Sequence, residues 1–328
     1  MVLHVIVGSG AVGSAVANLL ADGGHAVRVV TRSGSGPVRP EVERVAADAT
    51  DATRLTELTR GATALYNCAN PPYDRWLTDW PPLASALLAA AERTGAGLVA
   101  MGNLYGYGPV DGPMTEDTPP AATGAKGRMR NRMWADLLAA HEAGRLRATE
   151  ARASDFYGPG PVATSHLGEH FTPRLLAGRR PVFLAGDLDV PHSFTFVPDV
   201  ARALVALAGD DRSWGRPWHV PTAPAVSVRE LASRMAALAG VPDRGVLVAP
   251  HLLLRAAGLA VPFVRELEEV RYQFVRPFRL DSTLTEATFG LAPTPLAEGL
   301  AAHVRWWQGR QRAAAGEGAG TPTARRDA

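Results

Sequence analysis

The chain has 328 residues, 46% of them hydrophobic and 20% charged, with a formal net charge of +2, enough apolar material for one large domain with a smaller annex. So small a charge excludes the strong single-sign field of a nucleic-acid or anionic-membrane binder, and no apolar run reaches the roughly 18–20 residues of a membrane helix. One cysteine, Cys68, excludes an internal disulfide, and without a basic segment ahead of "VLHVIVGSG" the expectation is a soluble, cytoplasmic protein.

Val2–Val7 is a short apolar run ending in glycine, which predicts a buried parallel strand. Helical spacing follows over Ala11–Ala21 and stops at "DGGH"; Ala26–Thr31 is a second strand rich in β-branched residues. The alternation continues with a strand near Val45, a helix over Thr53–Thr59, a strand over Ala64–Asn67, a helix over Pro82–Arg93 and a strand over Gly97–Met101. A long helix from about Ala125 to Ala143 and a strand at Leu146–Ala151 complete it. Strand and helix in turn predict an α/β fold: a Rossmann-type doubly wound parallel sheet over residues 1–155, with residues 193–222 returning to it. Beyond Tyr157, Pro/Gly-punctuated pieces predict a smaller, mostly helical C-terminal substrate domain made of residues 156–192 and 223–312, and residues 313–328 read as a disordered tail.

"VIVGSGAVGSAVANLL" sets Gly8, Gly10 and Gly13 in G-x-G-x-x-G spacing between a strand and a helix. The glycines serve a tight turn, the approach of backbone to a pyrophosphate and close helix–strand packing, so Ser9, Ala11 and Val12 join them as cofactor-binding candidates. An NAD site places an acidic residue about 20 positions on. Here the second strand ends in "VVTRSGSG", with Thr31, Arg32 and Ser33 and no carboxylate. A guanidinium there can grip a 2′-phosphate, so NADP(H) is expected in preference to NAD(H).

With "ADATD", "NCANPP", "NLYGYGP", "RASDFYGPG" and "FTFVPDVARALVAL" added to that turn, the chain resembles the extended short-chain dehydrogenase/reductases, the NAD(P)-dependent epimerase/dehydratase group, over roughly residues 1–310. The resemblance implies further cofactor contacts at Asp48, Ala49, Ala69, Asn70 and Ala153, and a homodimer built from the helices at Pro82–Arg93 and Ala125–Ala143. It also implies a catalytic Ser/Thr, Tyr and Lys, the last two in Y-x-x-x-K, where an ammonium favours the phenolate of a tyrosine whose ordinary pKa is near 10.

Lys126, the only lysine among 34 Lys and Arg residues, falls at the family's lysine, where it is expected to hold the nicotinamide ribose. The rest of the set departs: Ala122 stands four residues earlier, and the Ser/Thr position falls on Asn103. Tyr73 in "NPPYDRW" is the leading substitute for the proton donor; Tyr105, Tyr107 and Tyr157 also sit where strands end, and Trp76, Asp155 and His192 complete the expected substrate residues. Three readings stay open: hydride chemistry with a displaced acid, a non-redox isomerisation, elimination or cyclisation, and an NADP-sensing binding module. Asp187 and Asp189 read as a turn, His166 and His170 as one face of a surface helix, and no metal is expected. The partner is a small molecule, with the arginines of "TPRLLAGRRPVFL" as candidate anion ligands.

Overall fold

Apolar runs of five to seven residues become the inner strands of the protein, whose computed structural model describes residues 2–318 apart from residues 164, 185, 262–264 and 267. β1 (Leu3–Val7), β4 (Ala62–Asn67) and β5 (Gly97–Asn103) lie side by side in the middle of a seven-stranded sheet. β2 (Ala26–Thr31) and β3 (Val42–Ala46) extend it on one side, β7 (Ala148–Ala153) and β11 (Pro217–His219) on the other. The order is β11-β7-β5-β4-β1-β2-β3, every pairing parallel. The reversal of strand order at β1 is the switch point at which ligands bind outside the strands' carboxyl ends.

Successive residues of a strand face opposite ways, and both faces of this sheet are covered. Ile6 and Val29 pack under α1 (Ala11–Asp22) and α6 (Val197–Gly209), while Val5 and Val7 pack under α2 (Ala52–Thr59), α3 (Trp76–Thr94) and α4 (Ala125–Glu142). This is the doubly wound parallel sheet that the alternation predicts.

A separate apolar cluster gathers α5 (Thr172–Leu176), α7 (Val228–Ala239) and the C-terminal helix Leu296–Gly318 around Phe171, Phe183, Phe274 and Tyr157. Short parallel pairs stitch this region together: β8 (Asp155–Tyr157) with β10 (Phe194–Phe196), β9 (Val182–Phe183) with β12 (Leu247–Val248), and β6 (Pro113–Met114) with β13 (Arg279–Leu280). His303 ties it to the β8 end: Nδ1 accepts from the Gly158 N–H at 3.0 Å and Nε2 donates to Thr172, whose hydroxyl in turn donates to the Leu167 carbonyl.

Several boundaries differ from the sequence expectation, and three have a plain physical reason. α3 begins at Trp76, not Pro82, and runs through Pro81 and Pro82. Trp76, Trp80 and Leu83 recur at helical spacing and are all buried, and that burial outweighs the amide hydrogen bonds the two prolines lack. The sixth sheet strand is Ala148–Ala153, two residues later than Leu146–Ala151, because β5 and β11 fix its register. The C-terminal helix continues past residue 313 to Gly318, carried by the strong helix former alanine at 313–315; the rest of the expected tail, residues 319–328, lies outside the described residues.

Candidate active site

At the carboxyl end of β1 the glycine turn is built by exclusion. Gly8 has φ 98°, and a Cβ there would lie 2.8 Å from the backbone of Cys68 and Ala69; a Cβ on Gly13 would lie 2.0 Å from the Gly8 carbonyl oxygen. Gly10 is the opposite case, with nothing within 4 Å of an added Cβ. The turn is closed toward the protein and open at Gly10, where the backbone can meet a pyrophosphate. α1 starts here without an acidic residue in its first turn, so its N–H groups and dipole face that space unneutralised. Gly160 packs onto Ala11 from the far side, 2.8 Å from Ala11 Cβ to an added Cβ.

The loop after β2 folds onto this turn. The Thr31 hydroxyl donates to the Ser35 carbonyl at 3.1 Å, and the Ser35 and Ser9 hydroxyls lie 2.9 Å apart. Ser35 is a residue the sequence reading passed over, although the repeated serine of "VVTRSGSG" signals it. Arg32 and Ser33 are exposed beside them. Across the mouth, hydrogen bonds from the Thr50 N–H and hydroxyl, joined by the field of Arg32, hold the Asp48 carboxyl below its usual range. Hydroxyls and a guanidinium with no carboxylate at the strand end suit a 2′-phosphate. Ala49 and Ala69 are half-buried at the rim, Asn70 is exposed, and Ala153 is buried in register with Asn103. Cys68 lies beneath the turn, its thiol pushed up to about 12 by burial.

Lys126 stands on the first turn of α4 and is 1% exposed. Its ammonium lies 4.6 Å from the centroid of the Tyr73 ring and pairs with two carboxylates, Glu266 and Glu269 (3.7 Å). Glu269 also accepts from the Lys126 backbone N–H at 2.7 Å, capping a helix whose own first turn has no acid. Neither glutamate was singled out in the sequence, because 140 and more residues separate them from Lys126. Ala122 precedes the Gly124 cap and so is not on the helix; its N–H bonds the Gly106 carbonyl. The one-turn spacing that would set a residue at 122 beside Lys126 does not exist here.

Tyr73 and Tyr105 hydrogen-bond through their hydroxyls, and burial pushes both phenols above their ordinary range. The ammonium thus sits over the face of Tyr73 while desolvation keeps the phenol protonated. Asp155, at the start of β8, faces this group: its charge acts on Tyr73, Tyr105 and Tyr272. His192 Nε2 is 2.8 Å from one Asp155 oxygen, and His166 Nε2 is 3.7 Å from the other. Burial raises the Asp155 carboxyl, but the His192 hydrogen bond and the two imidazoles bring it below its usual range. His192 is held between Phe274 and Phe278, with centroids 4.4 and 5.2 Å away.

Several expected site residues serve the fold instead. Tyr107 is fully buried in a polar network: His219 Nδ1 donates to the Asp281 carbonyl at 2.7 Å, so its Nε2 accepts from the Tyr107 hydroxyl at 2.7 Å, which accepts from Arg152 at 3.0 Å. Tyr157 is 1% exposed against Phe196 and His303. Both were expected at the substrate because strands end there, yet each ring turns into the protein. Trp76 backs the pocket, buried between Tyr73, Trp80, Tyr105 and the Arg130 guanidinium. Asn103 accepts from the Tyr105 N–H at 3.1 Å and shapes the turn after β5.

His166 and His170 do not share a helix face. They lie in a turn, with His166 inside against Phe274 at 4.5 Å and His170 exposed; the glycine of "SHLGEH" backs onto the Val162 carbonyl, 1.9 Å from an added Cβ, and forces the bend. Asp187 accepts from the Asp189 N–H as in a turn, and Asp189 pairs with Arg229. Arg174 and Arg180 spend donors on the carbonyls of Arg180 and Val246.

Residues 5–218 match the model of the NAD dependent epimerase/dehydratase family. No curated protein matches the sequence. Among solved structures, UDP-glucose 4-epimerase of the hyperthermophilic eubacterium Thermotoga maritima, determined with UDP-glucose, superposes with a TM-score of 0.78 at 20% identity, over 94% of this chain and 99% of its own. dTDP-glucose 4,6-dehydratase from Streptomyces venezuelae, a double mutant with NAD bound, gives 0.75 at 21%, covering 95% and 98%. UDP-glucuronic acid 4-epimerase from Bacillus cereus, in complex with NAD, gives 0.77 at 15%, covering 94% and 99%. At these identities the likeness is one of fold.

Proposed function

The chain belongs to the NAD dependent epimerase/dehydratase family and is an NAD(P)-dependent enzyme, and on that premise we propose that it is an NADP(H)-dependent oxidoreductase or epimerase acting on a small carbonyl or hydroxyl metabolite. One observation carries the reading: the open glycine turn after β1 shares the carboxyl edge of the sheet with Tyr73 after β4, Tyr105 after β5 and Asp155 after β7. The bound nicotinamide supplies a two-electron hydride donor or acceptor. The chain's part is to hold the pyrophosphate at Gly10 and the start of α1, and a 2′-phosphate at Arg32, Thr31 and the two serines Ser9 and Ser35. Lys126 pairs with Glu266 and Glu269, and the third N–H of its ammonium is the donor offered to the ribose. Trp76 and Tyr105 pack as an apolar wall beside Tyr73.

NADP(H) is the choice here even though two of the solved relatives named above carry NAD, because the recognising loop is local to this chain. A non-redox reaction is the second reading, favoured by the pairing of Lys126 with two carboxylates, which leaves its charge largely spent. Incubation with 4-deuterated NADPH and a panel of ketones, aldehydes and sugars decides between them: deuterium in a product supports the oxidoreductase, whereas turnover without label transfer or change at 340 nm (the nicotinamide band) supports the other.

A further inference from the structure

No tyrosine stands at 122, and burial disfavours the phenolate that Tyr73 becomes on giving up its proton, which leaves room for another proton carrier. The cluster at the start of β8 has the parts. Asp155 keeps 18% of its side chain exposed and His166 19%, whereas His192 behind them keeps 2%. So the carboxylate and one imidazole are partly accessible, and the other imidazole braces them from the core. Around Asp155 stand His192 from the segment before β10, His166 from the turn before α5, Tyr73 and Tyr105 from the loops after β4 and β5, and Tyr272 from the segment before β13.

The bracing is specific. His192 Nδ1 faces the Gln273 carbonyl at 3.0 Å and Nε2 faces Asp155 at 2.8 Å. Both partners are acceptors when Asp155 is ionised, so both ring nitrogens donate only if a proton lies between His192 and Asp155. The phenyl rings of Phe274 and Phe278 stack on the two faces of that imidazole and present their negative π surfaces to it. His192 is therefore a positioning residue that fixes one carboxylate oxygen and leaves the other, Oδ1, toward His166 and the pocket.

We propose that Asp155 is the proton-transfer carboxylate of this site, passing a proton between a substrate hydroxyl and His166 while His192 holds it in place. The proposal rests on the dehydrogenase reading above. In the oxidising direction the substrate O–H bond breaks and its proton goes to Asp155. As the C=O bond forms, the C–H electron pair would be taken up as hydride by a bound oxidised nicotinamide. Asp155 then hands the proton to His166, which releases it to solvent; reduction reverses each step. His166 is suited to accept, since burial lowers its pKa below 6.5 and keeps it neutral near pH 7.

The test uses the full-length protein with NADPH and, as probes, a panel of small ketones and aldehydes, and reads histidine protonation separately by NMR of ¹⁵N-histidine-labelled protein. The expected spectra show His192 protonated on both nitrogens at pH 7, and a His166 midpoint that falls in Asp155→Asn because the charge that raises it is gone. The expected kinetics, on any probe reduced, are a loss of about 10²–10⁴-fold in kcat for Asp155→Asn, with NADPH affinity within about twofold of wild type, and loss in His166→Asn of the pH limb that His166 governs. His192→Asn lowers kcat less, because Asp155 remains but is no longer fixed. If the wild type reduces a probe and Asp155→Asn matches it across the pH range, the proposal is overturned while the dehydrogenase reading stands. If no probe is reduced, the spectra decide: a His192 with one unprotonated nitrogen, unchanged by Asp155→Asn, overturns it equally.

Discussion

Arg32→Ala separates the two cofactors by a single phosphate. Arg32 is exposed on the loop after β2, and no carboxylate competes for the adenosine ribose at Thr31–Ser33. A hydrogen bond to a charged partner contributes about 1.5–3 kcal/mol. The guanidinium is solvated and already feels Asp48 across the mouth, so the lower end applies, about 1.5 kcal/mol or roughly tenfold in Kd. Fluorescence titration is expected to show wild type binding NADPH more tightly than NADH. In Arg32→Ala the NADPH Kd rises about tenfold while the NADH Kd hardly moves, since NADH has no phosphate to lose. The gap should shrink in 0.5 M salt, where the screening length falls to a few ångströms. Equal affinities in wild type, or an NADPH affinity indifferent to the substitution, refute the reasoning.

Lys126→Met leaves Glu266 and Glu269 facing each other without their cation; because these side chains keep 22% and 25% exposure, the cost is about 1–3 kcal/mol, seen as a melting temperature lower by several degrees, and an unchanged Tm would argue against the ion pair. Ala122→Tyr is expected to leave hydride transfer where it was, since residue 122 precedes the α4 cap; a tenfold gain in rate would show that the loop can bring a phenol to Lys126. Burial depresses the His303 pKa from 6.5 to about 4, so its stabilising neutral form is fully present above pH 6.5 and is lost as pH falls through about 4. That amounts to roughly 3 kcal/mol, and melts from pH 7.5 to 4 that show no loss would contradict it. A homodimer formed through α3 and α4 predicts a light-scattering mass near twice 34.7 kDa at micromolar concentration, and a monomeric mass removes it.

The doubly wound sheet was legible because local signals agree with the global fold. β1 is a five-residue apolar run, α1 opens on glycines with steric reasons, and strand follows helix at short spacing. The start of α3 was not, because two prolines read as a boundary while the tryptophans that carry the helix past them show their value only once packed. The candidate phosphate-binding residues are local in the same way: Gly8 to Gly13 lie within one turn and Thr31 to Ser35 within one loop. The proposed catalytic half is assembled from afar. Glu266 and Glu269 reach Lys126 across 140 and 143 residues, and His192 reaches Asp155 across 37. Nothing in their local spacing announces a partner.

The same difference applies to Lys126 and the position four residues before it. A Y-x-x-x-K pattern has meaning only if both residues share a helix face, and here the helix begins between them, at the Gly124 cap. Position 122 lies outside the helix, and Ala122 packs where Gly127 leaves room. The lysine, still on α4, keeps the aromatic face of Tyr73 and gains two carboxylates. A cation so shared has little field left to ionise a phenol that burial already disfavours. A carboxylate paired with one imidazole and adjoining a neutral second one needs no such field, because its two oxygens are held by different partners. On the proposal made above, the proton-transfer chemistry lies at the start of β8, where position is set by the sheet rather than by spacing along α4.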